Sequence, residues 1–334
     1  MTTTPLPTPA FRVHNWERDP RNPILPPGPA DFDATACMNP FTIRQGDEYY
    51  LYYAGGTPQG GRHICLATTP VNDVGDWTRH GPLLEMGGSG SFDAFWCVLP
   101  CVHRFGDKWH LYYTGRNPEL GAGLQSFTGI GLATSTDLKN WKKFSTEPVL
   151  RGDGFAQWPD NKGIAGGGSL IEIPQADGRI LYRMYYTLAT GTPNKDLTVD
   201  QAKQSVIAHS YDGIEWFDRR VVLQARADAE HEDAAAIGLN IWPASKGWRA
   251  IYAGIGTRFG YYSICEATSP DGLTWERGKP NENLAMAPQG DGWESKMVEY
   301  PNIIEENGRL RLFYCGNGYG QTGIGTALAD KLDE

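Results

Sequence analysis

The apolar positions of this chain fall in short, aromatic-rich runs, and the runs repeat. One recurs as Tyr49-Tyr50-Leu51-Tyr52-Tyr53-Ala54-Gly55, Trp109-His110-Leu111-Tyr112-Tyr113-Thr114-Gly115, Tyr182-Arg183-Met184-Tyr185-Tyr186-Thr187, Trp248-Arg249-Ala250-Ile251-Tyr252-Ala253-Gly254 and Leu310-Arg311-Leu312-Phe313-Tyr314-Cys315-Gly316. Runs of this composition bounded by turn residues predict β-strands. A glycine stands at or near the turn before each: Gly46, Gly106, Gly178, Gly247 and Gly308. The next strand recurs as Ile64-Cys65-Leu66-Ala67-Thr68, Ile130-Gly131-Leu132-Ala133-Thr134, Val206-Ile207-Ala208-His209-Ser210, Ile264-Cys265-Glu266-Ala267-Thr268 and Ile324-Gly325-Thr326-Ala327. A tryptophan opens a further strand in four repeats, at Trp77, Trp141, Trp216 and Trp275. Turns such as Tyr211-Asp212-Gly213 and Pro270-Asp271-Gly272 lead into it.

Each repeat is entered through a carboxylate, and three of the five carry a proline at a constant offset from it. Phe32-Asp33-Ala34-Thr35-Ala36-Cys37-Met38-Asn39-Pro40 is matched by Phe92-Asp93-Ala94-Phe95-Trp96-Cys97-Val98-Leu99-Pro100 and by Trp293-Glu294-Ser295-Lys296-Met297-Val298-Glu299-Tyr300-Pro301. Two weaker copies place Asp160 ahead of Gly167 and Asp233 ahead of Asn240. Four strands per unit, five times over, predict an all-β fold: a five-bladed β-propeller of four-stranded antiparallel blades, forming one domain over residues 1–334. In such a ring the first strand of each unit lines the central channel. Asp33, Asp93, Asp160, Asp233 and Glu294 are then expected to converge at one mouth, with Asn39, Leu99, Gly166, Leu239 and Tyr300 closer in. Residues 1–20 read as an extended arm, and the segment around Ile24-Leu25 as the outer strand that closes the ring. Insertions at 117–128 and 190–205 should be loops over one face.

Composition agrees with many short strands and turns. The 334 residues hold 12% aromatics, 41 Gly and 23 Pro. A net charge of −9 and the lack of a basic stripe argue against a nucleic-acid partner. No apolar run is long enough for a membrane span. The N-terminus has neither a basic nor a hydrophobic leader segment, so the expected location is the cytoplasm. The six cysteines, at 37, 65, 97, 101, 265 and 315, form no CxxC pair and fall mostly inside strands. They read as buried reduced thiols. Gly166-Gly167-Gly168 lacks the ending of a phosphate loop and reads as a close strand approach.

The sequence of aromatic strand, Ile-Gly-Leu-Ala-Thr-Ser and Asp-Gly-x-x-Trp, together with Asn22-Pro23-Ile24-Leu25, resembles the five-bladed propeller glycosidases. That superfamily holds arabinanases, β-xylosidases, invertase-like fructosidases and β-mannoside phosphorylases. The resemblance implies a carboxylate on the first strand of each of the first three blades, serving as base or nucleophile, modulator and general acid. This chain departs from the pattern. It has Asn39-Pro40, Leu99-Pro100-Cys101 and Ala165-Gly166-Gly167 at those places, and no Glu-Asp-Pro-Arg motif.

Glycoside cleavage by two carboxyl groups needs one of them held protonated. The expected acids are Asp33, Asp93, Asp160, Asp233, Glu294 and Glu299; the alternative for the repeated ones is a cap on their own blade. Glu299 breaks the symmetry, because the residues aligned with it are Met38, Val98, Ala165 and Gly238. It is either a site residue or an outward-facing polar one. Trp96 and Trp158 could stack on a sugar face or pack in the core. Asn39, Arg116, Asn161, Lys162 and Tyr300 complete the expected substrate contacts. The dense His231-Glu232-Asp233 run reads as a solvated turn or as one side of a metal site. No cofactor is expected beyond a structural cation in the channel. The leading expectation is hydrolysis of a terminal glycosidic bond, furanosides included, in a short oligosaccharide. A glycoside phosphorylase or transferase, marked by Arg, Lys or His at the mouth, and a non-catalytic sugar-binding propeller are the alternatives.

Overall fold

The computed structural model describes residues 11–166, 168–190 and 203–332. Its strands form successive antiparallel meanders. The first runs Ala36–Gln45, Glu48–Gly56, Arg62–Pro70 and Thr78–Leu84. The second runs Trp96–Phe105, Lys108–Arg116, Gly129–Ser135 and Lys142–Lys143. In the third the inner strand is split into Gly163–Ala165 and Leu170–Pro174, followed by Ile180–Ala189, Lys203–Ser210 and Phe217–Leu223. The fourth comprises Ala235–Ala244, Gly247–Ile255, Tyr262–Ser269 and Leu284–Met286. The fifth comprises Glu299–Glu306, Arg309–Cys315 and Ile324–Asp330.

The outer strand of this last meander comes from the N-terminal end. Glu17–Arg18 pairs antiparallel with Leu328 and Ala327, and Leu25 bridges to Ile324. Part of the expected extended arm is therefore built into the last meander. His14 and Trp16 are buried and both bind the Glu266 carboxylate of the fourth meander, Trp16 Nε1 at 3.0 Å, so the segment spans two meanders. Residues 1–10 of the expected arm lie outside the described residues.

Four of the five inner strands carry the same irregularity. Pairing with the second strand skips two residues after Met38, Val98, Ile237 and Glu299. The next residue takes positive φ: Asn39 at 55°, Leu99 at 56°, Gly238 at 68° and Tyr300 at 51°. A bulge turns a side chain out of the alternating pattern, and here it turns toward a shared centre. The register corrects the alignment of the fourth repeat by one residue. Ile237, not Gly238, is the counterpart of Glu299, and Gly238, not Leu239, is that of Tyr300. In the third meander, a Cβ on Gly168 would collide with the Tyr185 carbonyl, which accounts for that glycine as a close strand approach; Gly167 lies outside the described residues.

Neighbouring inner strands are stitched together by short polar side chains. Thr42 N–H donates to Asn302 Oδ1 at 2.8 Å, Ile303 N–H to Asn240 Oδ1 at 3.0 Å and Ile241 N–H to Ser169 Oγ at 3.2 Å. A narrow cavity between Asn39, Leu99, Gly168, Asn240 and Tyr300 takes a residue from every inner strand. All six thiols are free and buried. Burial pushes Cys37 and Cys101 up to about 12 and the other four upward as well. An aromatic disulfide reagent at pH 8 should therefore leave the native protein untouched and react with every thiol in urea. Reaction before unfolding would contradict this burial.

Candidate active site

The carboxylates that open the repeats turn into their own meanders. Asp33 is fully buried; it accepts from Tyr53 Oη at 2.7 Å and pairs with Arg79 of the fourth strand. Asp93 accepts from Tyr113 Oη at 2.9 Å and from Lys143 Nζ at 2.6 Å. Glu294 accepts from Tyr314 Oη at 3.0 Å and pairs with Arg18. In the fourth meander the same place belongs to Glu232, which accepts from Tyr252 Oη at 2.6 Å, Arg277 Nη1 at 2.9 Å and Asn283 Nδ2 at 3.0 Å. Each acid thus links a second-strand tyrosine to a cation, on the outer strand in three cases and ahead of it at Arg277, and lies twenty residues before that tyrosine in all four.

The two weaker copies depart from expectation. Asp233 is the neighbour of the linking acid and caps a loop, accepting from Thr257 N–H at 2.9 Å and Thr257 Oγ1 at 2.6 Å. Asp160 is exposed. Its neighbour Asn161 is the buried one and is spent on backbone, donating to the Gly152 and Gly163 carbonyls at 2.9 and 3.1 Å. Tyr186 instead accepts from Arg219 Nε at 3.1 Å, with no acid between. The expected ring of five converging acids is therefore replaced by four buried links and one solvent-facing aspartate.

His231 is not in a solvated turn. It is fully buried, with Nδ1 at 3.2 Å from Asn281 Oδ1 and Nε2 at 3.1 Å from Asn283 Oδ1. Ligand atoms of His231, Glu232 and Cys265 lie within 4.8 Å of one another. Glu232 already serves Tyr252, Asn283 and the Arg277 cation, so these residues are occupied as a fold link and do not suit a metal ion.

A cavity of about 370 Å³ lies over the bulges. Met38, Asn39, Val98, Leu99 and Tyr300 floor it, and Arg62, Trp96, Arg116, Phe127, Tyr319 and Lys203 wall it. A side chamber of about 70 Å³ continues over Gly166 and Gly238, where the bulge residues have no side chain. Of the expected contacts, Asn39, Trp96, Arg116 and Tyr300 meet here. Trp158 packs against Phe155 in the core of the third meander, Asn161 is held by backbone, and Lys162 lines a separate cleft with Arg151 and Asp153. The 117–128 insertion does reach over the mouth, through Gly123–Ser126 and Phe127. Most of the other insertion, residues 191–202, lies outside the described residues.

The sequence reading missed Arg62, Phe127, Lys203 and Tyr319. Arg62, Lys203 and Tyr262 open the third strands of three meanders at one register, opposite Gly56, Ala189 and Ile255. Arg62 and Tyr262 stand two residues upstream of Ile64 and Ile264, but Lys203 stands three upstream of Val206, so the repeat alignment hid their shared register.

Glu299 is the one acid among the residues that directly precede a bulge, where the other meanders have Met38, Val98 and Ile237. It is fully buried and faces inward, and neither carboxylate oxygen has a hydrogen-bond partner. Burial holds its pKa well above 4.5, with the Lys203 ammonium pulling weakly the other way. Lys203 donates to Tyr262 Oη at 2.7 Å and lines the mouth, as does Tyr300. Glu299 thus sits one layer behind the cavity wall as a neutral acid.

Solved structures share this architecture. One is a glycoside hydrolase, 17% identical, TM-score 0.70, covering 97% of this chain and 93% of the other. Another comes from work on the GH130 family of mannoside phosphorylases, described as containing glycoside hydrolases that target beta-1,2 mannosidic linkages in Candida mannan; it is 16% identical, TM-score 0.70, over 97% and 96%. A thermostable family-43 glycoside hydrolase follows at 17% identity and TM-score 0.64, over 90% and 91%. The chain has the fold of the propeller glycosidases. At these identities the likeness concerns the fold. An uncharacterized protein of Mycobacterium tuberculosis (strain ATCC 25618 / H37Rv), Rv1502, is 27% identical over 291 residues, 86% of this chain and 90% of the relative. No family model matches the chain.

Proposed function

We propose that this protein is a carbohydrate-active enzyme that cleaves a terminal glycosidic bond at the cavity over the bulges, with Glu299 as proton donor. The observation that carries the reading is the fully buried, partnerless Glu299 carboxyl at a position that is apolar in the other repeats. A buried polar group left unsatisfied costs about 1–3 kcal/mol, and a carboxyl kept neutral above its ordinary range is suited to give a proton to a leaving oxygen. As the bond from the anomeric carbon breaks, its electron pair goes to the leaving-group oxygen, which takes the proton that Glu299 delivers when its carboxyl turns from behind the wall into the cavity. A nucleophile oxygen then bonds to the anomeric carbon. Trp96, Phe127, Tyr300 and Tyr319 offer aromatic faces for the sugar.

The fold model behind this reading is a single five-bladed ring, supported by the cavity shared by all inner strands and by the N-terminal outer strand. Six buried thiols favour a reducing compartment, hence the cytoplasm. The proposed reaction calls for no organic cofactor.

One observation favours a second reading for the nucleophile. Among the described residues no Asp or Glu lines the cavity, whereas Arg62, Arg116 and Lys203 do. Water attack needs a base to take its proton; a phosphate oxygen is already deprotonated and needs cations instead. Aryl and alkyl glycosides incubated with and without inorganic phosphate test both readings. Free sugar identifies hydrolysis and a sugar 1-phosphate identifies phosphorolysis. No product from any panel sugar, together with saturable sugar binding, would make the protein a binding module.

A further inference from the structure

Two guanidinium groups share one indole at the cavity wall. Arg116 Cζ lies 4.2 Å from the Trp96 ring centroid and Arg62 Cζ 5.2 Å from it. Trp96 is fixed in turn by its Nε1 donating to the Gly60 carbonyl at 2.8 Å. Arg62 is lowered from its ordinary range first by burial and then by the Arg116 charge, and Arg116 by burial. Among the described residues neither has a carboxylate partner, although acids outnumber bases 39 to 30 in the chain. Among the described residues their guanidinium hydrogen bonds are Arg62 Nη1 to the Gly61 carbonyl at 3.0 Å and Arg116 Nε to Ser126 Oγ at 2.9 Å. Arg62 Nε is buried with no partner.

A second observation points the same way. Asn39 lines the same cavity, is only 4% exposed, and has both amide atoms unpartnered. Its backbone is held at φ 55°, so the bulge aims a polar side chain into the cavity with nothing of the protein to receive it. Paired arginines are usually brought together by an anion that accepts from both forks. Cation–π contact with one indole stabilises each only modestly and does not remove their mutual repulsion.

We infer that Arg62 and Arg116, over Trp96 and beside Asn39, form an oxyanion site in this cavity. The oxyanion enters either as inorganic phosphate or as the phosphoryl or carboxylate group of an acidic sugar. The inference deepens the reading of the cavity as a sugar site, but the oxyanion site is measured by binding and does not need turnover.

Titration calorimetry with inorganic phosphate, a hexose phosphate, galacturonate and the matching neutral hexose tests it. The expected result is saturable binding of at least one anionic probe, weakened about tenfold or more in both Arg62→Gln and Arg116→Gln. Arg220→Gln, at an exposed outer-strand arginine, should bind as wild type. Far-UV circular dichroism and urea midpoints without ligand establish that the variants are folded. Binding of phosphate alone assigns the site to a co-substrate; binding of the acidic sugars alone assigns it to the substrate. Glu299→Gln should keep anion binding while losing turnover, so failure of the acid assignment and failure of the anion site are read separately. No anionic probe binding, or binding that survives in folded Arg62→Gln and Arg116→Gln, overturns the inference.

Discussion

Replacing Glu299 by methionine should abolish turnover and make the protein more stable. Met38 occupies the equivalent position in the first meander, so the substitution copies a solution the fold already contains. It removes a buried carboxyl whose two oxygens have no partner. Such groups cost about 1–3 kcal/mol, and a gain in urea stability of that size is expected. Glu299→Gln keeps shape and polarity but cannot donate a proton as an acid. With an alkyl leaving group its rate should fall by about 10²–10⁴, the usual worth of a positioned proton donor. With a nitrophenyl leaving group, which departs without protonation, much of the loss should be recovered. Equal losses for both leaving groups would remove Glu299 from the role of acid and leave it a structural residue.

The pH dependence has a defined sign. Glu299 in the native state is held above its ordinary value of 4.5, so above that pH the native protein keeps a proton that the unfolded chain releases. Stability contributed by the neutral form is complete below the unfolded value and is lost as pH rises toward the native one. The stability difference between Glu299→Met and wild type should therefore widen with rising pH. Turnover should fall over the same upper limb, because only the protonated form donates. A difference independent of pH would mean that Glu299 titrates normally and is not buried as described.

What the sequence could show depended on whether a feature was repeated. Strands were legible because each second strand carries the same aromatic run and a turn glycine, and burial of the tyrosines at 53, 113, 186, 252 and 314 bears this out. The linking acids were legible as a spacing, but adjacent polar residues hid the register. Glu232 and Asp233 differ by one position and lie respectively inside and at the surface; Asp160 and Asn161 do the same in reverse. The spacing could not tell a converging ring from four separate links, because both need an acid at strand entry. The cavity wall was less legible still. Arg62, Phe127 and Lys203 come from strand ends and an insertion, where the repeats differ and no pattern marks the residue. Asn39, Trp96 and Tyr300 were found because they are departures from a repeat.

The linking acids themselves give a large expected effect of the opposite kind. Asp93→Asn and Glu232→Gln are nearly isosteric, yet each removes the charge that faces a buried tyrosine and a mostly buried cation. The Lys143 and Arg277 side chains are 26% and 15% exposed, so either would be left without compensation and only partly reached by water. Breaking a buried pair from one side costs about 3–5 kcal/mol, and partial exposure puts these variants toward the lower figure. Asp160→Asn, at an exposed residue without such a link, should stay within about 0.5 kcal/mol of wild type. Urea unfolding of the three variants, alongside turnover, separates the two roles open to a strand-entry acid. If Asp93→Asn kept wild-type stability and lost turnover, the acid would be chemical. A loss of stability with turnover preserved in the folded fraction is the expected outcome. It follows from the tyrosine twenty residues downstream of each linking acid, whose buried hydroxyl needs an acceptor at that point in the fold.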